Sequence, residues 1–415
     1  MPTLTDKLKA LGVKLGASEI NAGFPKKQET RKESFLNSTW LTYNGSVNYQ
    51  DTHYSFEQFN TIFQQENNFS LGFFSELLRE PRLIQYGPEQ ITFIDTETTG
   101  LSGGSGTLAF IIGVGRIEDQ KFHLVQFFLD EPSNELNLLI ALEEFLASSK
   151  VLVSFNGKSF DIPILKNRYI LNGQPNPFLK LQHIDLLPVA RRLWRERLQS
   201  RTLGNLEFEI LQISRKQDDI PGWMIPQMYF DFLHEGDFAP MERVLYHNAM
   251  DVLSLSNLLT EIILMTKDPI SSGSINPIDL FSLARIYEEL GRLEVAINYY
   301  SYGLDFERNR EFGLPESLVK ESILRLAEIY KKMGDIDRSL SLWQRAVELK
   351  EITGFIEMAK IYEHKYKNPQ EAKTLTISAI DLLETSDLSV LEQLRWHSEL
   401  KHRLERLERK INAGL

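Results

Sequence analysis

The sequence predicts an α/β domain, a mixed central sheet flanked by helices, followed by an all-α domain of helical repeats. Three observations carry that prediction. Between about residues 90 and 266, short β-branched runs alternate with stretches of helical periodicity. From about residue 276 onward every periodic segment is helical, and one skeleton of residues recurs. The 415 residues suffice for two or three domains with full cores.

Residues 1–38 are polar and lysine-rich and read as a flexible tail. Residues 39–89 hold many aromatics (Tyr43, Tyr49, Tyr54, Phe56, Phe73 and Phe74 among them) and are expected to be ordered and to pack on the domain that follows. ITFID, TLAFIIGVGRI and KFHLVQFFLD then read as three consecutive strands, the last two joined by a tight turn at Glu118-Asp119-Gln120. ELNLLIALEEFLA has helical periodicity, and VLVSFN is a short buried strand. FDIPILKNRYI opens a helix that tolerates Pro163 in its first turn. VARRLWRERL, GNLEFEILQ and MERVLYHNAMDVLSLSNLLTEIILM follow as helices. A meander of three strands and then strand–helix alternation require a mixed sheet.

The formal net charge is −11, whereas a protein that coats nucleic acid is usually basic. A nucleic-acid role must therefore rest on a local basic patch or on bound cations. No apolar run approaches 20 residues and the N-terminus lacks the apolar core of a signal peptide, so no membrane partner is expected. The absence of cysteine excludes disulfides and thiolate zinc sites and fits a cytoplasmic location.

In the helical half, Ala284, Ile286, Tyr287, Gly291 and Ala296 align with Ala327, Ile329, Tyr330, Gly334 and Ser339. A third copy aligns Ala359, Ile361, Tyr362 and Ala372, with one residue inserted at its turn. The pattern resembles tetratricopeptide repeats, with extra residues near DFERNREFG between the first two copies. Residues 276–415 are thus expected to form such repeats with a C-terminal capping helix. Repeats of this kind commonly bind another protein.

The chemistry starts at FIDTETTGL. Alternation along a strand puts Asp95 and Glu97 on one side, where two carboxylates repel unless a cation lies between them. Alone, such a pair is most often a solvated strand end. Two later stretches change the balance: VLVSFNGKSFDIPIL places Asp161 just after a strand, preceded by Asn156 and Phe160, and YHNAMDVLSL places His247 and Asp251 four residues apart on one helix face.

These three motifs, in this order and spacing, resemble those of DEDD-type 3′→5′ exonucleases, which have an RNase H-like fold. The added repeats and the strings HIDLL, ARRLW and HNAMDVLSL resemble the YprB-like branch of bacterial RNase H-like proteins. The resemblance places an RNase H-like exonuclease domain at 90–266. It implies phosphodiester hydrolysis with two divalent ions, and an all-carboxylate ligand set suits Mg²⁺ or Mn²⁺. By the same resemblance Asp95 bridges both ions, Glu97 and Asp251 complete one site, Asp161 serves the other, and Thr98 and Leu101 meet the terminal nucleotide. One departure stands out. Related enzymes carry His five residues, or Tyr four, before the last Asp, whereas here Tyr246 is at minus five and His247 at minus four. Helical geometry favours His247 as the general base, with Tyr246 the alternative.

RRLWRERLQSR allows two readings: Arg191, Arg192 and Arg195 tracking phosphates with Trp194 stacked on a base, or an amphipathic helix with solvated arginines. SGGSGT reads as a turn beside the site, and His183 with Asp185 as a structural pair. The expected function is metal-dependent 3′→5′ exonuclease activity on DNA, in repair or processing. RNA as substrate, or a non-catalytic adaptor, are the alternatives, and the resemblance suggests a helicase as the protein partner of the repeats.

Overall fold

In the computed structural model, residues 40–43, 47–55, 69–100, 106–215, 220–270, 275–308, 314–386 and 388–413 are described. The tail expected at 1–38, Leu101, most of SGGSGT and Phe56 lie outside them.

The sheet has seven strands: β1 (Trp40–Tyr43), β2 (Val47–Ser55), β3 (Ile91–Thr98), β4 (Ala109–Glu118), β5 (Lys121–Phe128), β6 (Val151–Ser154) and β7 (Gln182–Asp185). Their order is β1-β2-β5-β4-β3-β6-β7. The half from β1 to β3 is antiparallel, and β3, β6 and β7 run parallel, which makes the sheet mixed as predicted. Asp119 and Gln120 both adopt positive φ, 47° and 57°, the twist a two-residue hairpin between β4 and β5 requires. The aromatic-rich segment before residue 90 contributes two strands the sequence did not announce, with β2 pairing along β5 from Asn48↔Phe128 to Ser55↔Lys121.

Among the described residues the helices are α1 (Gly72–Leu78), α2 (Glu135–Leu146), α3 (Asp161–Leu171), α4 (Leu186–Leu193), α5 (Leu203–Glu209), α6 (Ile225–Glu235) and α7 (Ala239–Lys267), then α8 (Pro277–Glu289), α9 (Leu293–Arg308), α10 (Glu316–Lys332), α11 (Ile336–Glu348), α12 (Ile352–His364), α13 (Pro369–Glu384) and α14 (Val390–Asn412). α7 crosses one face of the sheet. It comes close because Gly113 and Gly115 of GVGRI leave room: a Cβ on Gly113 would lie 2.2 Å from Asn248 Oδ1, and one on Gly115 3.0 Å from Val252. α7 is also long and apolar enough to cross a membrane by length and composition, but 72% of that stretch is buried in this fold. α2 covers the other face, with Leu138, Leu139 and Leu142 packed beside Ile94, Ile112 and Val125.

The repeats confirm the aligned skeleton physically. Ala284, Ala327 and Ala359 are fully buried, as are Ala296, Ser339 and Ala372, so the helices of each pair approach closely. Gly291 and Gly334 take φ of 75° and 82° at the turns, and the third copy uses Lys367 at 55° there. α14 caps the stack, with Arg406 and Lys410 both 2.7 Å from the buried Glu363.

The arginine-rich segment is where the two halves meet, which decides between its two readings for several residues. The helix stops at Leu193, earlier than the periodicity suggested, and the following turn docks on α8. Trp194 is 1% exposed, so its ring cannot stack on a base. Arg192 pairs with Glu289 at 2.5 Å and Arg197 with Asp279 at 3.2 Å, both in the repeats. Arg191 and Arg195 stay exposed, Arg195 lying 3.5 Å from Glu196.

Asp279 gives this junction a pH dependence. Burial raises its pKa to about 7, with Arg197 opposing and Glu261 adding to the rise. A folded pKa above the unfolded 3.8 means the contribution is complete below about pH 4 and lost as pH rises to about 7. Denaturant titrations of the native chain and of Asp279→Asn should therefore diverge through that window, by roughly 1.4 kcal/mol per pH unit at most. Asp279→Asn should flatten the fall; an unchanged slope would show that another group sets it.

Candidate active site

β3 carries Asp95 and Glu97 to the edge of the sheet where α7 crosses. A register shift between Glu97 and Thr98 ends the regular pairing there, a bulge of the kind that re-aims side chains. Thr98 is buried and turns its hydroxyl to the Gly100 carbonyl at 3.0 Å. β6 lies parallel beside β3, so the chain leaving it brings Asp161, first residue of α3, to the same end. Thr96 Oγ1 donates to Asp161 Oδ1 at 2.5 Å and ties the two strands' acids together. α7 supplies Asp251 and His247, whose Nε2 lies 3.7 Å from Asp251 Oδ2.

The electrostatics follow from burying four acids together. Burial, then the charges of Asp251 and Asp161, push the pKa of Asp95 well above the carboxylate range. Glu97 is raised likewise, by burial and then by Asp95, Asp251 and Asp161. Asp161 is pushed up to about 6, mainly by burial, and burial also raises Asp251 against the pull of Arg215. Four acids that destabilise one another's charge, with no sulfur or clustered imidazole among them, form a donor set that fits hard divalent cations.

Several supporting residues gave little warning in the sequence. Asn248 is fully buried and donates from Nδ2 to Asp95 Oδ2 at 2.9 Å and to the Asp95 carbonyl at 3.2 Å. Gln126 on β5 donates to Asn248 Oδ1 at 2.9 Å, fixing that amide's orientation. Position 248 is three residues before Asp251 on the same helix, the one hint available. Arg215 comes from a loop that carried no hint at all. Its guanidinium is held by Glu207 at 2.5 and 2.6 Å, touches Asp251, and lies 3.2 Å from His247 Nδ1. Beside them opens a pocket of about 470 Å³ lined by Arg215, His247, Asp251 and the exposed Phe208.

Tyr246 points elsewhere, toward Tyr54 of β2, whose pKa it helps burial to raise. His183 and Asp185 do not pair with each other in hydrogen bonds. His183 Nε2 lies 2.7 Å from Ser154 Oγ, and Asp185 accepts from the amides of Asn156 at 2.8 Å and Lys158 at 3.1 Å. Asp185 thus shapes the turn in which Asn156 takes a φ of 65° and which delivers Asp161.

Because Asn248 sets Asp95, crowding it from the sheet side should damage the site at a distance. Gly113→Ala puts a methyl 2.2 Å from Asn248 Oδ1 and 2.9 Å from Val252, so α7 must shift. The expected loss is about 1–3 kcal/mol of stability together with weaker Mn²⁺-induced thermal stabilisation. A variant with unaltered Mn²⁺ response would show that Asn248 does not hold Asp95 in its binding geometry.

Comparison with known proteins completes the picture. Residues 92–263 match the RNase H superfamily model, and residues 280–306 and 321–353 match tetratricopeptide repeats. An uncharacterized protein of Bacillus subtilis, YprB, is 32% identical over 337 residues, which are 79% of this chain and 76% of that protein. A family B DNA polymerase structure from the archaeon Pyrobaculum calidifontis is 16% identical with a TM-score of 0.34, covering 52% of this chain and 29% of the polymerase. A likeness that low carries no argument. The identity to YprB, spread across both halves of the fold, carries one: this chain belongs to the YprB family, with an RNase H superfamily domain joined to C-terminal tetratricopeptide repeats.

Proposed function

We propose that this protein is a metal-dependent 3′→5′ exonuclease that hydrolyses phosphodiester bonds of DNA. The observation that carries the reading is the meeting of Asp95, Glu97, Asp161 and Asp251, from three separate elements, in one half-buried cluster with His247 beside it. The four carboxylates would hold two Mg²⁺ or Mn²⁺ ions. Such ions, when bound, neutralise phosphate charge and lower the pKa of a bound water.

The remaining work belongs to the chain. Asn248 holds Asp95 in one orientation, and Thr96 does the same for Asp161. His247 is the general base of this reading: Arg215 donates to its Nδ1, and the ring takes the proton of the attacking water once that contact is released. Tyr246, turned toward Tyr54, is less suited to that task. Thr98 and Asn156 stand on segments that flank the acids and would border the 3′ end, as would Leu101 by the family resemblance. Arg191 and Arg195, exposed on the same domain, would follow the phosphates of the strand. DNA is favoured over RNA by the family resemblance, which also suggests work in repair beside a helicase, bound through the repeats, in the cytoplasm.

The test uses matched 5′-labelled DNA and RNA strands with Mn²⁺. Asp161→Ala should cut the rate of 3′ shortening roughly a thousandfold or more. Undiminished shortening sinks the proposal, and equal or faster loss of RNA reassigns the substrate.

A further inference from the structure

A second group of metal-ligating side chains lies on the opposite face of the sheet and takes no part in the proposed hydrolysis. His53 on β2 and His123 on β5 are directly opposed in the strand register, and Asp51 sits two residues before His53 on the same face. The face is the one α2 covers, since the His123 ring packs 5.9 Å from that of Phe145. Asp95 lies on the face crossed by α7. Asp51 Oδ1 is 2.9 Å from His123 Nε2 and 3.4 Å from His53 Nδ1, and one donor atom from each of the three residues falls within 4.8 Å of the others. For bonds of about 2.1 Å to one ion, donor atoms sit roughly 3.0–3.4 Å apart, the edges of an octahedron or tetrahedron.

The surroundings prepare His123 for that role. Its Nδ1 lies 2.8 Å from Glu118 Oε2, and Arg116 in turn pairs with Glu118. A carboxylate on Nδ1 favours the proton there and leaves the Nε2 lone pair facing Asp51. A lone pair and a carboxylate 2.9 Å apart need a cation between them. A proton can serve one imidazole nitrogen, but the rings of His53 and His123 are stacked, 4.4 Å apart and 9° from parallel, and both address the same Asp51 oxygen. A single divalent ion would satisfy all three ligands once the exposed His53 ring turns out of that stack and brings its in-plane lone pair onto the ion. His53 is half-exposed, so entry from solvent and a water ligand are available.

We propose that Asp51, His53 and His123 form a second metal site, which takes a borderline transition-metal ion such as Zn²⁺ and fastens β2 to β5. Two imidazoles and one carboxylate prefer such ions, whereas the four-acid cluster prefers Mg²⁺ or Mn²⁺. The ion would thereby clamp the hairpin of β1 and β2, which precedes the matched RNase H segment, onto the sheet. This inference is independent of the proposed nuclease activity.

The experiment is calorimetric titration of the metal-stripped full chain with Zn²⁺ in excess Mg²⁺, paired with Co²⁺ visible absorption. One equivalent of Zn²⁺ should bind, with Co²⁺ giving ligand-field bands. His53→Ala and Asp51→Asn should each weaken binding at least tenfold and abolish the bands, while Asp95→Asn keeps both. His53 is exposed enough that its removal should leave the fold intact, which circular dichroism verifies. Absence of Zn²⁺ uptake by the native chain, as expected if His123 is simply an imidazolium between Asp51 and Glu118, would overturn the proposal. So would uptake that survives His53→Ala.

Discussion

Asp95→Asn is expected to make the metal-free protein more stable while removing its divalent-dependent activity. The two effects share one cause. Asp95 is half-buried beside Asp161, Glu97 and Asp251, and both desolvation and the charges of Asp251 and Asp161 raise the free energy of its carboxylate. An amide of the same shape removes one charge and can still accept from Asn248 through its oxygen. Folding raises the proton affinity of this carboxyl, and each tenfold rise costs about 1.4 kcal/mol at neutral pH, so a gain of about 1–3 kcal/mol is expected. The same amide is a poor ligand for Mg²⁺, and nuclease activity should fall by roughly a thousandfold or more. Thermal melts with and without Mn²⁺ read the first effect and strand shortening the second. A variant that is less stable without metal and keeps its activity would refute both the electrostatic account and the assigned role.

Trp194→Ala should produce the largest loss of stability of any single change considered. The side chain is 1% exposed and sits where the turn after α4 meets α8, beside Asp279. Truncating a buried tryptophan costs about 3–5 kcal/mol. Nucleic-acid affinity per folded molecule should stay the same, measured below the lowered melting temperature. Had Trp194 been a stacking platform, affinity would fall and stability hold, so the two measurements together separate the roles.

The four acids stood out because Asp95 and Glu97 end one apolar run, Asp161 follows shortly after another, and Asp251 shares a helix face with His247. β3, β4, β5 and β6 were readable from their apolar runs, and so were the repeats, whose small residues recur at fixed places. The strands β1 and β2 were not. Their residues alternate weakly; what makes β2 a strand is eight paired positions along β5, information held some 70 residues away, and β1 in turn pairs on β2. Trp194 misled because an aromatic among arginines looks alike whether it faces a base or the next domain. Arg215 and Gln126 were silent, since the partners that tie them to the site, His247 and Asn248, lie 32 and 122 residues away. α6 was also missed: IPQMYFDFLHE carries aromatic residues on several sides, and Tyr229 and Phe232 are buried against β-strand residues such as Phe128.

The junction between the halves has a practical meaning for anyone dividing the chain. The boundary of the RNase H match, at residue 263, falls inside α7, four residues before its end. Leu258, Ile262, Trp194 and the α8 residues Leu280 and Phe281 belong to one continuous apolar cluster. A nuclease fragment cut after α7 would therefore present a greasy, freshly opened seam to water, with Arg192 and Arg197 stripped of their acidic partners. Kinship by sequence draws its border at residue 263; solubility draws it at least one repeat later.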